Sequence, residues 1–181
     1  MKLGIIAAMK IEAELIEAAM TNVTRETCGS IEYCLGNIGN TDIVLAVCGI
    51  GKVNTALAVQ HLIDCHGVTE VWNAGVSGCF LPLPAGTLVA VTSCVQHDLD
   101  MFGDPQGTVP VLDMVHLPCT DPDATLAKLT AAGYDCRPGV VASGDWFQQD
   151  FDRAAHIRDT FSALVCDMEA AAAAHVCLRS K

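Results

Sequence analysis

The chain has 181 residues, of which 51% are hydrophobic and 17% are charged, enough apolar material for one domain with a buried core. Intrinsic disorder is excluded, because burial of so many apolar side chains offsets the entropy lost on folding. The formal net charge of −11 excludes a nucleic-acid-binding protein, since phosphates would be repelled. The apolar runs fall far short of the roughly 20 residues that cross a bilayer, and no signal peptide is visible. We therefore expect a cytoplasmic protein with no membrane partner.

Apolar runs alternate with helical periodicity along the whole chain. Lys2–Ala8 is a continuous apolar run, typical of a strand covered on both faces. Met9–Met20 has the spacing of an amphipathic helix, and Ile31–Asn37 and Asp42–Val47 predict two strands joined by a turn. The later predicted elements are, in chain order, helix Val53–Cys65, strand Glu70–Asn73, strand Leu88–Val95, an irregular stretch over 96–122, helix Thr125–Ala132, strand Gly139–Ser143, helix Asp150–Thr160, strand Leu164–Cys166 and helix Asp167–Cys177. This alternation predicts an α/β sandwich with a mixed sheet, folded as a single domain over residues 1–181.

Cysteine and histidine spacing argues against a metal centre. No two of the ten cysteines stand as C-x-x-C, which favours buried thiols in a reducing compartment over a disulfide framework or structural zinc. His97-Asp98 resembles part of a hydrolytic dyad, but the chain has no G-x-S-x-G motif to supply the nucleophile. The other histidines lack H-E-x-x-H spacing, and we expect surface or packing roles for them: His61, His66, His116, His156 and His175. We predict no metal and no cofactor.

Ligands of open α/β sheets bind beyond the carboxyl ends of the strands. The residues that follow predicted strands are Glu12, Gly49–Lys52, Gly75–Gly78, Ser143–Gln148 and Asp167–Glu169. Gly49-Ile50-Gly51-Lys52 is too short for a phosphate loop and favours a tight strand-to-helix turn.

Each of the other candidates has a structural and a functional interpretation. Glu12 lies in the first turn of a helix, where it either complements the helix dipole or presents a carboxylate to a cleft. Asp167 and Glu169 either cap a helix or accept hydrogen bonds from vicinal hydroxyls. Trp146-Phe147 either stacks a planar heterocycle or plugs the core.

The order of these motifs carries more information than any one of them. They are Gly4–Met9 with Glu12, Cys48–Val53, Asn73–Gly78, His97–Asp100, Ser143–Phe147, Asp167–Ala170 and Ala174–Cys177. In order and spacing the chain resembles the 5′-methylthioadenosine/S-adenosylhomocysteine nucleosidases, hydrolases of the nucleoside phosphorylase family, from Met1 to about Cys177. The resemblance implies a three-layer α/β sandwich with a central twisted mixed β-sheet flanked by helices, a homodimer, and cleavage of the bond between adenine and a 5′-thio-substituted ribose.

The same resemblance implies a role for each candidate residue. Glu12 would activate the attacking water, and Glu169 would accept hydrogen bonds from the ribose diol. The substrate pocket would be completed by Met168 beneath the sugar, Phe147 against the base, backbone groups at Gln148 and Gly78, and the neighbouring Val76 and Ser77. Phe102–Pro110 would cover the 5′ group of the partner subunit's ligand.

In the family, the residues matching His175–Cys177 are followed by a strand, a Ser-Asp pair that protonates adenine, and a closing helix. Leu178–Lys181 does not match that segment, so we expect a domain without it.

Two alternatives to a nucleosidase therefore remain. One is a truncated, weakly active nucleoside-binding protein, with Asp145 and Asp167 as the nearest substitute acids. The other is a phosphate-dependent phosphorylase, disfavoured because no arginine precedes Arg25 and a phosphate dianion needs cationic side chains.

Overall fold

The computed structural model describes residues 1–180, which form two compact units. The first unit comprises Met1–Val76 together with the chain from His175 onward, and the second comprises Ser77–Ala174. The elements are β1 (Lys2–Ala7), α1 (Lys10–Ala18), β2 (Thr21–Cys28), β3 (Ile31–Ile38), β4 (Thr41–Val47), α2 (Lys52–His66), β5 (Glu70–Asn73), β6 (Gly78–Cys79), β7 (Leu88–Gln96), β8 (Leu117–Pro118), α3 (Pro122–Ala131), β9 (Cys136–Ser143), α4 (Phe151–Phe161), β10 (Ala163–Asp167) and α5 (Ala170–Arg179).

The first unit contains a five-stranded mixed sheet in the order β2-β3-β4-β1-β5. Strand β1 runs parallel to both β4 and β5, and β2, β3 and β4 form an antiparallel meander. Helices α1 and α2 pack on β1 and β4. This placement explains why β1 is apolar almost throughout, since a strand with neighbours on both edges and helices against it has few positions that reach water.

The second unit contains another five-stranded mixed sheet, in the order β6-β10-β9-β7-β8. Strand β9 lies parallel to β7 and β10, whereas β6 and β8 run antiparallel to their neighbours. Helix α3 packs on β7 and β9, and α4 packs on β9 and β10. The α/β class with mixed sheets and flanking helices is confirmed, with the strands divided between two sheets.

Some predicted elements differ from those observed. Strand β2 was not predicted, because its side chains are mostly exposed and backbone pairing with β3, rather than apolar alternation, holds it in place. Helix α1 ends at Ala18 instead of Met20, and α5 begins at Ala170 instead of Asp167. The stretch over 96–122 was predicted to be irregular, and it contains the short strand β8.

Several apolar side chains on the first two helices are exposed. On α1, Ile11 is 72% and Leu15 is 84% exposed, and on α2, Val53 and Leu57 are also exposed. The buried residue of α1 is Ala13, and those of α2 are Thr55, Ala58, Val59 and Leu62. These two helices therefore carry apolar side chains beyond those that pack on the sheet.

The prediction of a single domain over residues 1–181 stays a prediction. Within residues 1–180, no helix has the length and apolar character needed to cross a membrane.

Candidate functional site

Glu12 lies where the carboxyl ends of two parallel strands meet. Strand β1 ends at Ala7 and leads into α1, and β5 ends at Asn73, paired next to β1. A backbone hydrogen bond from Ala74 N–H to the Ile6 carbonyl, 2.9 Å long, continues the pairing past the strand ends. The chain that follows β5 is therefore carried directly to the start of α1.

Both oxygens of the Glu12 carboxylate accept backbone hydrogen bonds. Oε2 accepts from Met9 N–H at 3.0 Å, and Oε1 accepts from Val76 N–H at 3.0 Å. The first bond satisfies a donor that the helix start would leave unpaired. The second joins residues 64 positions apart and has no role in capping. A carboxylate has about four acceptor positions, so these two bonds fix its orientation and leave acceptor capacity for a water molecule.

Gly75 leaves room for this carboxylate. A Cβ atom at position 75 would lie 2.8 Å from Glu12 Oε1 and 3.2 Å from its carboxyl carbon. Because real Cβ atoms avoid such distances, any other residue at this position would displace the carboxylate or the loop. The glycine thus lets the backbone come close enough for Val76 N–H to reach Oε1.

In the second unit, Ser143 and Asp167 stand opposite each other at the ends of the parallel strands β9 and β10. The Ser143 hydroxyl, fully buried, donates to Asp167 Oδ1 and accepts from Ala171 N–H at 2.9 Å. Asp167 Oδ2 accepts from Ala170 N–H at 2.9 Å. Both oxygens of Asp167 therefore accept hydrogen bonds at the start of α5. This favours the structural interpretation of Asp167, in which it caps the helix.

Glu169 follows this cap and is 8% exposed. Its Oε2 accepts a hydrogen bond from Met168 N–H at 3.1 Å, and the Met168 side chain is half-buried. A carboxylate this deep is costly unless it is hydrogen-bonded, and the backbone at the start of α5 supplies such a donor.

The loop after β9 presents aromatic side chains to solvent. Trp146 is 51% and Phe147 is 73% exposed, so the interpretation of this pair as a core plug is wrong. The guanidinium carbon of Arg153 lies 3.9 Å from the Trp146 ring centroid, a distance typical of a cation–π contact. These residues border an open concavity of about 550 Å³, lined by Asp145, Trp146, Phe147, Gln149 and Asp150.

His97 and Asp98 support this loop. A Cβ atom at Gly144 would lie 2.5 Å from the His97 ring, and Asp98 Oδ2 accepts from Asp145 N–H at 2.9 Å. His97 is buried. The pair therefore shapes the turn after β9, and its contacts account for its position without a hydrolytic dyad.

The remaining predicted pocket residues lie at strand and loop ends. Gly78, in β6, pairs with Cys166, and a Cβ at Gly78 would lie 2.8 Å from the Cys166 sulfur. Burial raises the pKa of that thiol. Gln148 donates through Nε2 to the Asp150 carbonyl, and its Oε1 is buried with no hydrogen-bond partner among residues 1–180. Val76 and Ser77 are exposed.

Sequence reasoning missed some residues of these sites. The Met9 N–H donates to the Glu12 carboxylate, and Gln149 and Asp150 line the concavity. Gly75 is among the residues that follow predicted strands, but its close approach to Glu12 was not predicted. The Met9 contact had a weak sequence signal, since Glu12 stands three residues after Met9, the residue that precedes the helix.

A model of the phosphorylase superfamily matches residues 2–181. The chain belongs to this superfamily. It is 34% identical to the 5′-methylthioadenosine/S-adenosylhomocysteine nucleosidase of Marinomonas sp. (strain MWYL1), and 34% identical to the aminodeoxyfutalosine nucleosidase of Campylobacter jejuni. Each alignment covers 98% of this chain and 79% of the relative.

The similarity extends to three-dimensional structure. The methylthioadenosine/S-adenosylhomocysteine nucleosidase of Neisseria meningitidis, solved in complex with methylthio-immucillin-A, superimposes with a TM-score of 0.92 and 32% identity. That match covers 98% of this chain and 80% of the solved chain. The family resemblance read from the ordered motifs is confirmed, as is the fold it implied.

Replacing Ser143 with alanine tests the cap of α5. Ser143→Ala removes a buried hydroxyl that bridges Asp167 and Ala171, so we expect the free energy of unfolding to fall by about 1–3 kcal/mol. Urea denaturation followed by circular dichroism measures the change. Ser93→Ala, which removes an exposed hydrogen bond to His116, is the control and should change stability by less than about 0.5 kcal/mol. Equal effects of the two variants would contradict the bridging role.

Proposed function

We propose that this chain hydrolyses the N-glycosidic bond of 5′-methylthioadenosine- and S-adenosylhomocysteine-type nucleosides, releasing adenine and a thio-substituted ribose. The observation that carries the proposal is the Glu12 carboxylate, oriented by two backbone N–H groups and given space by Gly75. The relatives named for this reaction support the choice of substrate class.

Glu12 acts as the general base in this proposal. Departure of a purine from ribose passes through an oxocarbenium-like state, as in glycoside cleavage. Glu12 accepts a proton from water, the water oxygen bonds to C1′, and the electron pair of the C1′–N9 bond leaves with adenine, which takes up a proton from solvent. A general base contributes about 10²–10⁴-fold to the rate of such a step. Asp167 is a poor choice for the acid, because both its oxygens already accept hydrogen bonds.

In this proposal, Glu169 and Met168 bind the ribose. Two carboxylate oxygens match the paired hydroxyls of a ribose, and hydrogen bonds to a charged acceptor are among the stronger ones. The low exposure of Glu169 strengthens such bonds, since little water competes for the oxygens. Met168 is proposed to pack beneath the ring through its apolar thioether side chain.

In this proposal, the loop after β9 binds the adenine base. Phe147 offers an exposed ring for stacking, and Gln148 and Gly78 are proposed to contribute backbone groups. Gly78 suits this role, because its lack of a side chain leaves the backbone accessible to a ligand. Val76 and Ser77 complete the proposed set.

Water is favoured over phosphate as the nucleophile. Phosphate binding needs cationic side chains, and Arg25, the first arginine of the chain, is already paired with Glu17. Strand β5 ends at Asn73 and is followed by Ala74, and neither residue carries a charge. A phosphorylase remains the alternative that product analysis excludes or revives.

A homodimer is proposed from the exposed apolar residues of the first unit. Val53 and Leu57 stand one turn apart on α2, as do Ile11 and Leu15 on α1, and all four are more than half exposed. Exposed apolar patches of this kind are typical of protein interfaces. Phe102, fully exposed, is proposed to approach the partner subunit's ligand. A cytoplasmic location is supported by the cysteines, none of which is in a disulfide within residues 1–180.

Glu12→Gln tests the catalytic role. We expect kcat for release of adenine from methylthioadenosine to fall about 10²–10⁴-fold, because the amide cannot accept the proton. Glu14→Gln, an exposed substitution on the same helix, should leave kcat unchanged. Adenine and the sugar product are quantified by chromatography with and without inorganic phosphate. Equal rates for Glu12→Gln and the parent chain refute the assignment. Binding without turnover by the parent chain would favour the nucleoside-binding alternative, and ribose 1-phosphate would identify a phosphorylase.

Glu169→Gln tests recognition of the sugar. The loss of charged hydrogen bonds predicts a KM increase of about tenfold or more. The control is a 2′-deoxy analogue of the substrate. The parent chain should discriminate strongly against it, whereas Glu169→Gln should discriminate much less, because both changes remove the same contact. Additive losses would show that Glu169 acts elsewhere.

The double variant Val53→Glu, Leu57→Glu tests the dimer. Two charges in an apolar interface are not paired, so we expect the variant to sediment as a monomer while the parent chain sediments as a dimer. Tyr134→Glu, at an exposed position of the second unit, is the control and should stay dimeric. Analytical ultracentrifugation measures the masses, and a variant that remains dimeric would exclude this surface.

A further inference from the structure

Two histidines and a glutamate from distant parts of the sequence meet at one edge of the first unit. Glu26 lies on β2, the edge strand of its sheet, and His61 and His66 lie in the last two turns of α2. None of these residues takes part in the proposed nucleosidase reaction.

The ligand atoms of the three side chains converge. Glu26 Oε1 is 2.9 Å from His66 Nε2 and 4.0 Å from His61 Nε2, and all three atoms lie within 4.8 Å of one another. Four ligands at 2.0–2.1 Å around a tetrahedral metal are about 3.3 Å apart. The separations therefore have to change by about 0.4–1.5 Å to match a coordination sphere, and rotation of the side chains can supply this change.

The histidine rings are held in place by an aromatic neighbour. The Tyr33 ring centroid lies 4.7 Å from that of His61 and 5.5 Å from that of His66, and the two imidazoles are 5.2 Å apart. The His66 side chain is only 7% exposed, His61 is 20% and Glu26 is 47% exposed. The cluster thus has a buried inner part and one side open to water.

We propose that Glu26, His61 and His66 bind a divalent zinc-class metal ion, with water completing the coordination. Two imidazole nitrogens and one carboxylate oxygen form a donor set that suits zinc and its neighbours in the transition series. Calcium and magnesium prefer oxygen ligands throughout. The bound ion joins the edge strand β2 to the end of α2.

Sequence spacing did not indicate this site. His61 and His66 are five residues apart instead of the four of H-E-x-x-H, and Glu26 belongs to a strand that the apolar pattern did not predict. We expected packing roles for both histidines, and their contacts with Tyr33 do fulfil one. The additional convergence on Glu26 is visible only in three dimensions.

Zinc titration of the full chain tests the proposal, with the histidine ring nitrogens observed by ¹⁵N NMR. We expect the ring nitrogens of His61 and His66 to shift to the values of coordinated imidazole, with those of His116 and His156 unchanged. Competition with a chromogenic chelator should give an affinity that falls at least tenfold in His61→Gln and in Glu26→Gln. Zinc should also raise the thermal unfolding midpoint of the parent chain and not that of these variants.

The matched control is His156→Gln, an exposed histidine of the second unit whose loss should leave zinc affinity unchanged. His61→Gln is preferred to His66→Gln, because the more buried His66 ring contributes more to packing. Unshifted rings of His61 and His66 at saturating zinc overturn the proposal. So does equal zinc affinity in all variants, which would assign binding to thiols elsewhere in the chain. Neither readout depends on nucleosidase activity, so the outcome is separate from that of the proposed function.

Discussion

The parallel pairing of β1 with β5 is the constraint on which the Glu12 arrangement depends. It brings the loop after β5 to the start of α1, so that Val76 N–H reaches a carboxylate 64 positions earlier in the chain. A glutamate on an isolated helix would cap its own N-terminus and otherwise point into water. Here the second N–H group fixes the plane of the carboxylate, and Gly75 keeps the space beside it clear. Orientation of this kind is what a general base requires before its pKa matters.

In the second unit, too, the ends of two parallel strands bring distant residues together, but here they hold a helix start. The ends of the parallel strands β9 and β10 bring Ser143 opposite Asp167, and both side chains are consumed in holding the start of α5. The next acidic residue, Glu169, thereby gains a defined position close to the helix start. Of the two carboxylates separated by one methionine, Asp167 holds the start of α5, and Glu169 is the one proposed to recognise ribose.

The sequence predicted most of the central strands, because their apolar runs reflect burial on both faces. It failed where structure depends on backbone pairing or on distant neighbours. Strand β2 has almost no buried side chains, so no apolar pattern could reveal it. The apolar spacing over Met9–Met20 predicted a helix, but Ile11 and Leu15, which contribute to that spacing, are exposed. Glu12 was found by its place after a strand, whereas its bond to Val76 required the sheet register.

Relatives of equal overall similarity to this chain are named for different substrates. Those named for methylthioadenosine and for aminodeoxyfutalosine are each 34% identical to this chain over the same share of its length. Overall similarity therefore does not discriminate between the two activities, and the difference lies in individual residues. The stretch between β7 and β8 is suited to such differences, because it has little regular structure and exposes Phe102 fully. Such a loop can change its side chains without disturbing the strands that orient Glu12 and Asp167.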